Sequence, residues 1–138
     1  MQGTVRALFV KQEKGGGSIP LPEVHAVIGG FAGDYHAKSP KQRQILMMSG
    51  SVMDELKLPP GAIYENVVVD GIDVMALTEG QQLRMGEALL SVTIPCEPCI
   101  QMERVRLGLQ DTLQNRRGIF AKVVTPGLIR VSDSVEIL

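Results

Sequence analysis

The chain has 138 residues, of which 44% are hydrophobic, and its 14 basic and 15 acidic side chains leave a formal charge of −1. This length fits one domain, here residues 1–138, and the apolar content excludes intrinsic disorder. Near-neutral charge gives no electrostatic reason to expect nucleic acid or an anionic membrane as a partner. With no secretory signal pattern and no apolar run long enough to span a bilayer, we expect a cytoplasmic protein.

The first half of the chain predicts short strands separated by turns. Alternating or β-branched segments favour strands at 3–10, 24–28, 45–48 and 63–69. A serine followed by helically spaced apolar residues predicts a short helix over 49–57. The Asp-Gly pair after the fourth strand is typical of a hairpin turn.

The second half continues the same pattern. Strands are expected at 74–77, 82–85, 88–94, 119–124, 128–131 and 135–138. Helical spacing over 100–114 is interrupted by Gly108, which predicts two short helical pieces. Some nine short strands with two or three short helices indicate a mainly β fold, a closed or nearly closed β-barrel.

Cys96 and Cys99 are the two cysteines, and each follows a proline that holds its thiol in a fixed loop. Their spacing suits a redox dithiol or half of a zinc site, for which His25 and His36 are the available histidines. A helix that begins just after Cys99 would stabilise a thiolate there. Two partly buried thiols without a chemical role are the alternative.

Two further segments carry polar side chains next to turns. Gly33 precedes Asp34 and His36, which could serve a site, although Asp34 alone could cap the turn. This segment matches neither a dinucleotide-binding motif nor a phosphate-binding loop. Glu65 and Asn66 interrupt an apolar strand, so at least one of them is expected to enter a site or to satisfy buried backbone.

Two arginines lie close to predicted strands. Arg43 follows a lysine-rich stretch, and Arg117 leads into the strand at 119–124. Arginines that point into a cleft suit phosphate or another planar anion, whereas a solvated basic turn is the plainer interpretation.

Taken in order, these motifs resemble the MOSC domain, the module named for the C-terminal part of molybdenum cofactor sulfurases. The matching stretches are at 33–36, 43–46, 60–61, 64–67, 71–74, 83–88, 98–99, 117–121 and 126–127. Together they span about residues 20–138, which is most of the chain. The resemblance implies a β-barrel like that of the pyruvate kinase barrel domain.

The resemblance also implies one functional cysteine, which follows a proline and precedes a helix and therefore matches Cys99. Cys96 departs from the family pattern. Family members carry sulfur as a cysteine persulfide, or bind the molybdenum cofactor with the cysteine sulfur as a metal ligand and reduce N-hydroxylated compounds. Cys99 would then be the catalytic and metal-binding residue. The cofactor-binding residues implied by the resemblance line one cleft: Asp34, His36, Arg43, Asn66 and Arg117.

The chain shows no region for pyridoxal phosphate, so a sulfur role calls for a cysteine desulfurase or a molybdoenzyme as partner. Whether the protein is itself a reductase or sulfurtransferase stays open. Two other hypotheses remain: a non-catalytic sulfur-delivery module within a partner complex, and a redox or zinc protein that uses both cysteines.

Overall fold

The computed structural model describes residues 2–38 and 42–138, and its strands close into a barrel. The strands are β1 (Gln2–Val10), β2 (Ile19–Leu21), β3 (Glu23–Val27), β4 (Gly30–Phe31), β5 (Ile45–Ser49), β6 (Val67–Asp70), β7 (Gln82–Met85), β8 (Ala88–Pro95), β9 (Ile119–Thr125), β10 (Gly127–Arg130) and β11 (Ser134–Ile137). The described residues also form α1 (Gly50–Glu55), α2 (Met102–Val105), α3 (Leu109–Thr112) and 3-10 turns at Tyr35–Lys38 and Val74–Ala76. The predicted mainly β barrel with short helices is confirmed.

Seven strands form the closed barrel, in the order β11, β7, β8, β9, β5, β6 and β1, and pairing of β1 with β11 closes the ring. Neighbouring strands of the ring pair antiparallel, except β5 and β6, which pair parallel and are connected through α1. β2 pairs antiparallel with the second half of β1 but is not part of the ring. β3, β4 and β10 form a separate small sheet. This closure protects the edges that an open sheet would leave unpaired.

Two hydrophobic cores follow from the alternation of side chains along the strands. In β5, Met47 belongs to the core inside the barrel, whereas Met48 belongs to a second core outside it. The outer core includes Met102 of α2 and Leu109 of α3. The helices therefore cover the outer face of the barrel wall, and this packing fixes the loop between β8 and α2.

The strand predicted over 63–69 is shorter than expected, because β6 begins only at Val67. Tyr64 has a φ of 64°, in the left-handed region that strands do not use. Next to it, the carboxylate of Glu65 accepts hydrogen bonds from two backbone N–H groups of the preceding turn. These local bonds replace the ladder bonds that the apolar pattern predicts.

Two other predictions around β6 were wrong. The strand expected at 74–77 is a 3-10 turn, started by the side chain of Asp73, which accepts a hydrogen bond of 3.1 Å from the N–H of Met75. The hairpin expected at 70–71 is absent, since β6 pairs with β1 and β5 rather than with the next segment. β2 and β4 were not predicted from the sequence, because their two or three residues carry no periodic signal.

Ser49 ties the end of β5 to the turn at Val74–Ala76. Its buried hydroxyl accepts a hydrogen bond from the N–H of Val74 at 2.9 Å and donates one to the carbonyl of Ile72 at 3.3 Å. We expect Ser49→Ala to lower the free energy of unfolding by about 1–3 kcal/mol, because a buried backbone N–H loses its partner. Urea denaturation measures this change.

The exposed serine of the same segment provides the control. Ser51→Ala should change the free energy of unfolding by less than about 0.5 kcal/mol, as is usual for surface substitutions. Equal stabilities of the two variants would contradict the role assigned to Ser49.

Candidate functional site

A cavity of about 280 Å³ opens at the rim of the barrel, beside the loop that connects β8 to α2. Among the described residues its lining holds three cationic side chains, two thiols and no carboxylate. The lining residues are Lys11, Arg43, Leu46, Tyr64, Asn66, Cys96, Cys99, Gln101, Met102, Arg117 and Phe120. The cavity therefore favours anions, although the whole chain has a formal charge of −1.

Arg117 is the most unusual residue of this lining, because it is a guanidinium with only 5% of its surface exposed. Its Nη2 donates a hydrogen bond of 2.6 Å to the carbonyl of Ile63. Its Nε and Nη1 are buried and find no hydrogen-bond partner in the described part of the chain. Since nearly all buried polar groups in proteins are paired, these two donors indicate a place for an acceptor from outside the chain.

The position of Arg117 depends on the glycine that follows it. Gly118 has a φ of 113°, and a Cβ atom there would lie 2.5 Å from the carbonyl oxygen of Met47. Only glycine therefore allows β9 to begin this close to β5. A backbone position that requires glycine therefore lies directly next to the buried charge of Arg117.

Glu65 is a buried carboxylate close to Arg117. It accepts hydrogen bonds from the backbone N–H groups of Gly61 at 2.6 Å and Ile63 at 3.3 Å. Burial raises the pKa of Glu65, while those backbone donors and the charge of Arg117 act in the opposite direction. The two side chains share a backbone partner in Ile63. Its carbonyl accepts a hydrogen bond from Arg117, and its N–H donates one to Glu65.

Cys96 directly follows the last residue of β8, and its thiol is half-buried. Its backbone N–H donates to the carbonyl of Gly118 at 2.9 Å, which holds it beside the start of β9. Burial raises the pKa of the Cys96 thiol, and the positive charges of Arg117 and Arg43 oppose that effect. Cys96 thus lies within electrostatic range of two of the cavity's cations.

Cys99 is an exposed free thiol. Its carbonyl accepts a hydrogen bond of 3.0 Å from the N–H of Met102, the first residue of α2. The predicted position of this cysteine just before a helix is confirmed. It presents an accessible sulfur at the cavity that Arg117 also lines.

Two aromatic rings lie against the other cations of the lining. The Nζ of Lys11 is 4.7 Å from the ring centroid of Tyr64, and the guanidinium carbon of Arg43 is 5.8 Å from that of Phe120. Such cation–π contacts hold the charged groups in place on flat apolar surfaces. The wall therefore combines positive charge with planar faces, as a flat anionic ligand requires.

The structure brings four of the predicted site residues to this cavity: Arg43, Asn66, Cys99 and Arg117. Asn66 has a structural task there, since its Oδ1 accepts from the N–H of Leu46 at 2.9 Å and its Nδ2 donates to the carbonyl of Phe9 at 3.2 Å. The expectation that the Glu-Asn pair satisfies buried backbone is confirmed for both residues.

The other two predicted site residues, Asp34 and His36, are not in the lining of this cavity among the described residues. The carboxylate of Asp34 accepts a hydrogen bond of 2.8 Å from the N–H of Lys11 and lines a small adjacent cavity that Tyr64 and Asn66 also border. The backbone of His36 belongs to the first 3-10 turn, but its side chain lies outside the described part of the chain.

Three residues of the cavity lining were not predicted from the sequence as site residues: Lys11, Tyr64 and Phe120. Lys11 directly follows β1, and nothing local marks it as part of a site. Tyr64 and Phe120 belong to stretches that carried the resemblance, but their contacts with cations come from chain segments far apart in sequence.

Across residues 2–38 and 42–138, no three histidine, cysteine or acidic side chains come together as a metal site. Within the same part of the chain, no helix is long and apolar enough to cross a membrane.

Comparison with known proteins identifies the family. The model of the MOSC domain matches residues 34–136. The chain belongs to the MOSC domain family. This family is associated with the molybdenum cofactor. A comparison with curated proteins finds no match.

Solved structures of MOSC-family proteins share the fold. The YuaD protein of Bacillus subtilis superposes with a TM-score of 0.88 at 23% identity, over 99% of this chain and 96% of its own. YiiM from Escherichia coli gives a TM-score of 0.73 at 21% identity, covering 100% of this chain and 70% of its own. YiiM from Geobacillus stearothermophilus gives a TM-score of 0.78 at 18% identity, covering 99% of this chain and 75% of its own.

The different exposure of the two thiols predicts different reactivity. At neutral pH, iodoacetamide should alkylate Cys99 at least about tenfold faster than Cys96, because burial limits access to Cys96 and raises its pKa. Raising the pH should increase the rate at Cys96, as more of that thiol ionises. Mass spectrometry of samples quenched over time measures both rates.

The Cys96→Ala and Cys99→Ala variants confirm which thiol gives each rate. Equal rates at the two cysteines in the wild type, or faster reaction at Cys96, would contradict the burial assigned to Cys96.

Proposed function

We propose that this protein handles the molybdenum cofactor or its sulfur, with Cys99 as the sulfur-bearing or metal-binding thiol. The observation that carries the proposal is the pair of buried donors on Arg117 that find no partner among residues 2–38 and 42–138, in the lining of the cavity that contains Cys99. A guanidinium with free donors suits a phosphate, a pterin oxygen or a sulfur anion. Membership of the MOSC family supports this choice of ligand.

The chemistry of the lining fits the molybdenum cofactor. The cofactor contains a planar pterin and an anionic phosphate, which suit the cations and aromatic faces of the wall. Arg117 and Arg43 would hold its polar and anionic groups, and Lys11, which lies over the ring of Tyr64, would add positive charge. A thiolate at Cys99 is the soft ligand that molybdenum accepts. When bound, the cofactor supplies a metal centre for electron and atom transfer.

The residues of this chain orient and charge the site. The side chain of Asn66 forms one hydrogen bond to the backbone of β1 and one to the backbone of β5, and so holds these two strands of the cavity wall together. Glu65 positions the loop that presents Tyr64 and partly balances the charge of Arg117. Arg117 offers Nε and Nη1 as donors without further rearrangement, because Nη2 already fixes the guanidinium plane on Ile63.

Two features favour sulfur handling as the main task. The cavity volume of about 280 Å³ lies just below the range of about 300–1,000 Å³ that is usual for small-molecule sites. Cys99 is exposed, so a persulfide on a partner enzyme can reach it. Its thiolate would attack the outer sulfur of the donor persulfide, and the donor thiolate would leave with the electron pair. A cysteine desulfurase is the class of partner that supplies such a persulfide.

The proposal predicts a difference between the two cysteine variants. We expect the wild type, purified from a host that makes molybdopterin, to carry molybdenum with pterin, persulfide sulfur, or both. Cys99→Ala should lose at least about tenfold of this content, because the only accessible thiol of the cavity is removed. Cys96→Ala should still acquire sulfur or cofactor through Cys99. Elemental analysis, pterin fluorescence and persulfide-specific mass spectrometry measure the content.

Each result has a defined meaning. Molybdenum with pterin supports cofactor binding and a reductase role, which is then assayed with N-hydroxylated compounds, whereas persulfide without molybdenum supports sulfur carriage. The absence of molybdenum, pterin and persulfide from the wild type overturns the proposal. An equally severe loss in Cys96→Ala and Cys99→Ala, together with bound zinc or a Cys96–Cys99 disulfide in the wild type, would favour a redox or zinc site built from both thiols.

A further inference from the structure

Cys96 is a second thiol in the cavity, and the proposed function leaves it without a task. It lines the same cavity as Cys99 but is half-buried, whereas Cys99 is exposed. Two thiols that share a cavity at different depths could accept a sulfur atom in sequence.

Two cations near Cys96 favour a negatively charged sulfur there, although burial raises the pKa of the Cys96 thiol. The charges of Arg117 and Arg43 act on this thiol. The Nε and Nη1 of Arg117 have no acceptor in the described part of the chain, and a neutral thiol is a poor one. An anion attached to Cys96 would supply the acceptor that these donors lack and would gain charge-assisted hydrogen bonds.

We propose that Cys96 is the inner sulfur-holding thiol, which takes the outer sulfur from a persulfide on Cys99 and keeps it as a persulfide anion against Arg117. This inference rests on the proposed function, because sulfur must first reach Cys99. Cys99 is then the entry point and Cys96 the store.

The transfer balances without an added oxidant or reductant. The Cys96 thiolate attacks the outer sulfur of the Cys99 persulfide, so that a new S–S bond forms at Cys96 and the S–S bond at Cys99 breaks. The electron pair of the broken bond stays on the Cys99 sulfur, which takes up the proton released by the Cys96 thiol. One persulfide and one thiol become one thiol and one persulfide.

Storage at Cys96 protects a labile group. Thiols remove the outer sulfur of a persulfide by direct attack, and the rate depends on access to that sulfur. A persulfide on the half-buried cysteine is therefore expected to survive longer than one on exposed Cys99.

The test loads the full-length protein with cysteine hydropersulfide, a small donor that needs no partner enzyme. Excess donor is removed, free sulfur groups are blocked with iodoacetamide, and the protein is digested with trypsin. The tryptic peptide 85–104 contains both cysteines, and fragmentation on the N-terminal side of Pro98 separates them. The mass of each fragment shows which cysteine carries the added sulfur.

We expect at least about tenfold more added sulfur on Cys96 than on Cys99 in the wild type. In Cys99→Ser, loading of Cys96 should be at least about tenfold slower, because the entry thiol is missing. In Cys96→Ser, the sulfur should remain on Cys99 and be lost to added glutathione at least about tenfold faster than from the wild type. Circular dichroism confirms that the variants are folded, and Cys96→Ala repeats the test without a hydroxyl.

Three results would overturn the inference. Added sulfur confined to Cys99 in the wild type shows that no transfer occurs, while the proposed function survives. A disulfide between Cys96 and Cys99 with release of hydrosulfide shows that Cys96 resolves the persulfide instead of holding it. Folded wild type without added sulfur on either cysteine removes the basis of the inference and counts against the sulfur-handling function itself.

Discussion

The site depends on a buried positive charge that the protein only partly satisfies. Arg117 has one hydrogen bond to the chain, through Nη2, and two buried donors without a partner in the described residues. Burying a guanidinium in this way costs stability unless its donors are paired. The arrangement makes sense when an anionic ligand completes it, and the nearby buried carboxylate of Glu65 reduces the cost in the ligand-free protein.

The barrel places this charge and the two thiols together. Gly118 lets β9 begin against β5, and its carbonyl binds the N–H of Cys96, so the end of β8 and the start of β9 meet beside Arg117. The loop between β8 and α2, which contains both cysteines, leads into α2, and α2 packs on the outer core of the barrel. The wall is therefore rigid where the ligand would be held, and Cys99 alone of the two thiols is exposed at its edge.

Much of the architecture could be predicted from local patterns. Alternation located β8 and β9, Gly108 divided the helical segment where α2 and α3 meet, and the prolines marked the cysteine loop. The loop before β6 could not be predicted, because it depends on the left-handed Tyr64 and on the side chain of Glu65. The sequence indicated Arg43 and Arg117, but the donors of Arg117 that lack a partner in the described residues become visible only once the chain is folded.

In the proposed site the Nε and Nη1 of Arg117 hold the ligand, and a pair of neighbouring arginines tests this role. Arg117→Lys keeps a positive charge but removes the planar donor fork, whereas Arg116→Lys changes an arginine that already binds Glu55 and the carbonyl of Thr112. Both are purified from a molybdopterin-competent host, and molybdenum plus persulfide per chain is measured. We expect this content to fall at least about tenfold in Arg117→Lys and to equal the wild-type content in Arg116→Lys. Wild-type content in folded Arg117→Lys would contradict the role of Arg117.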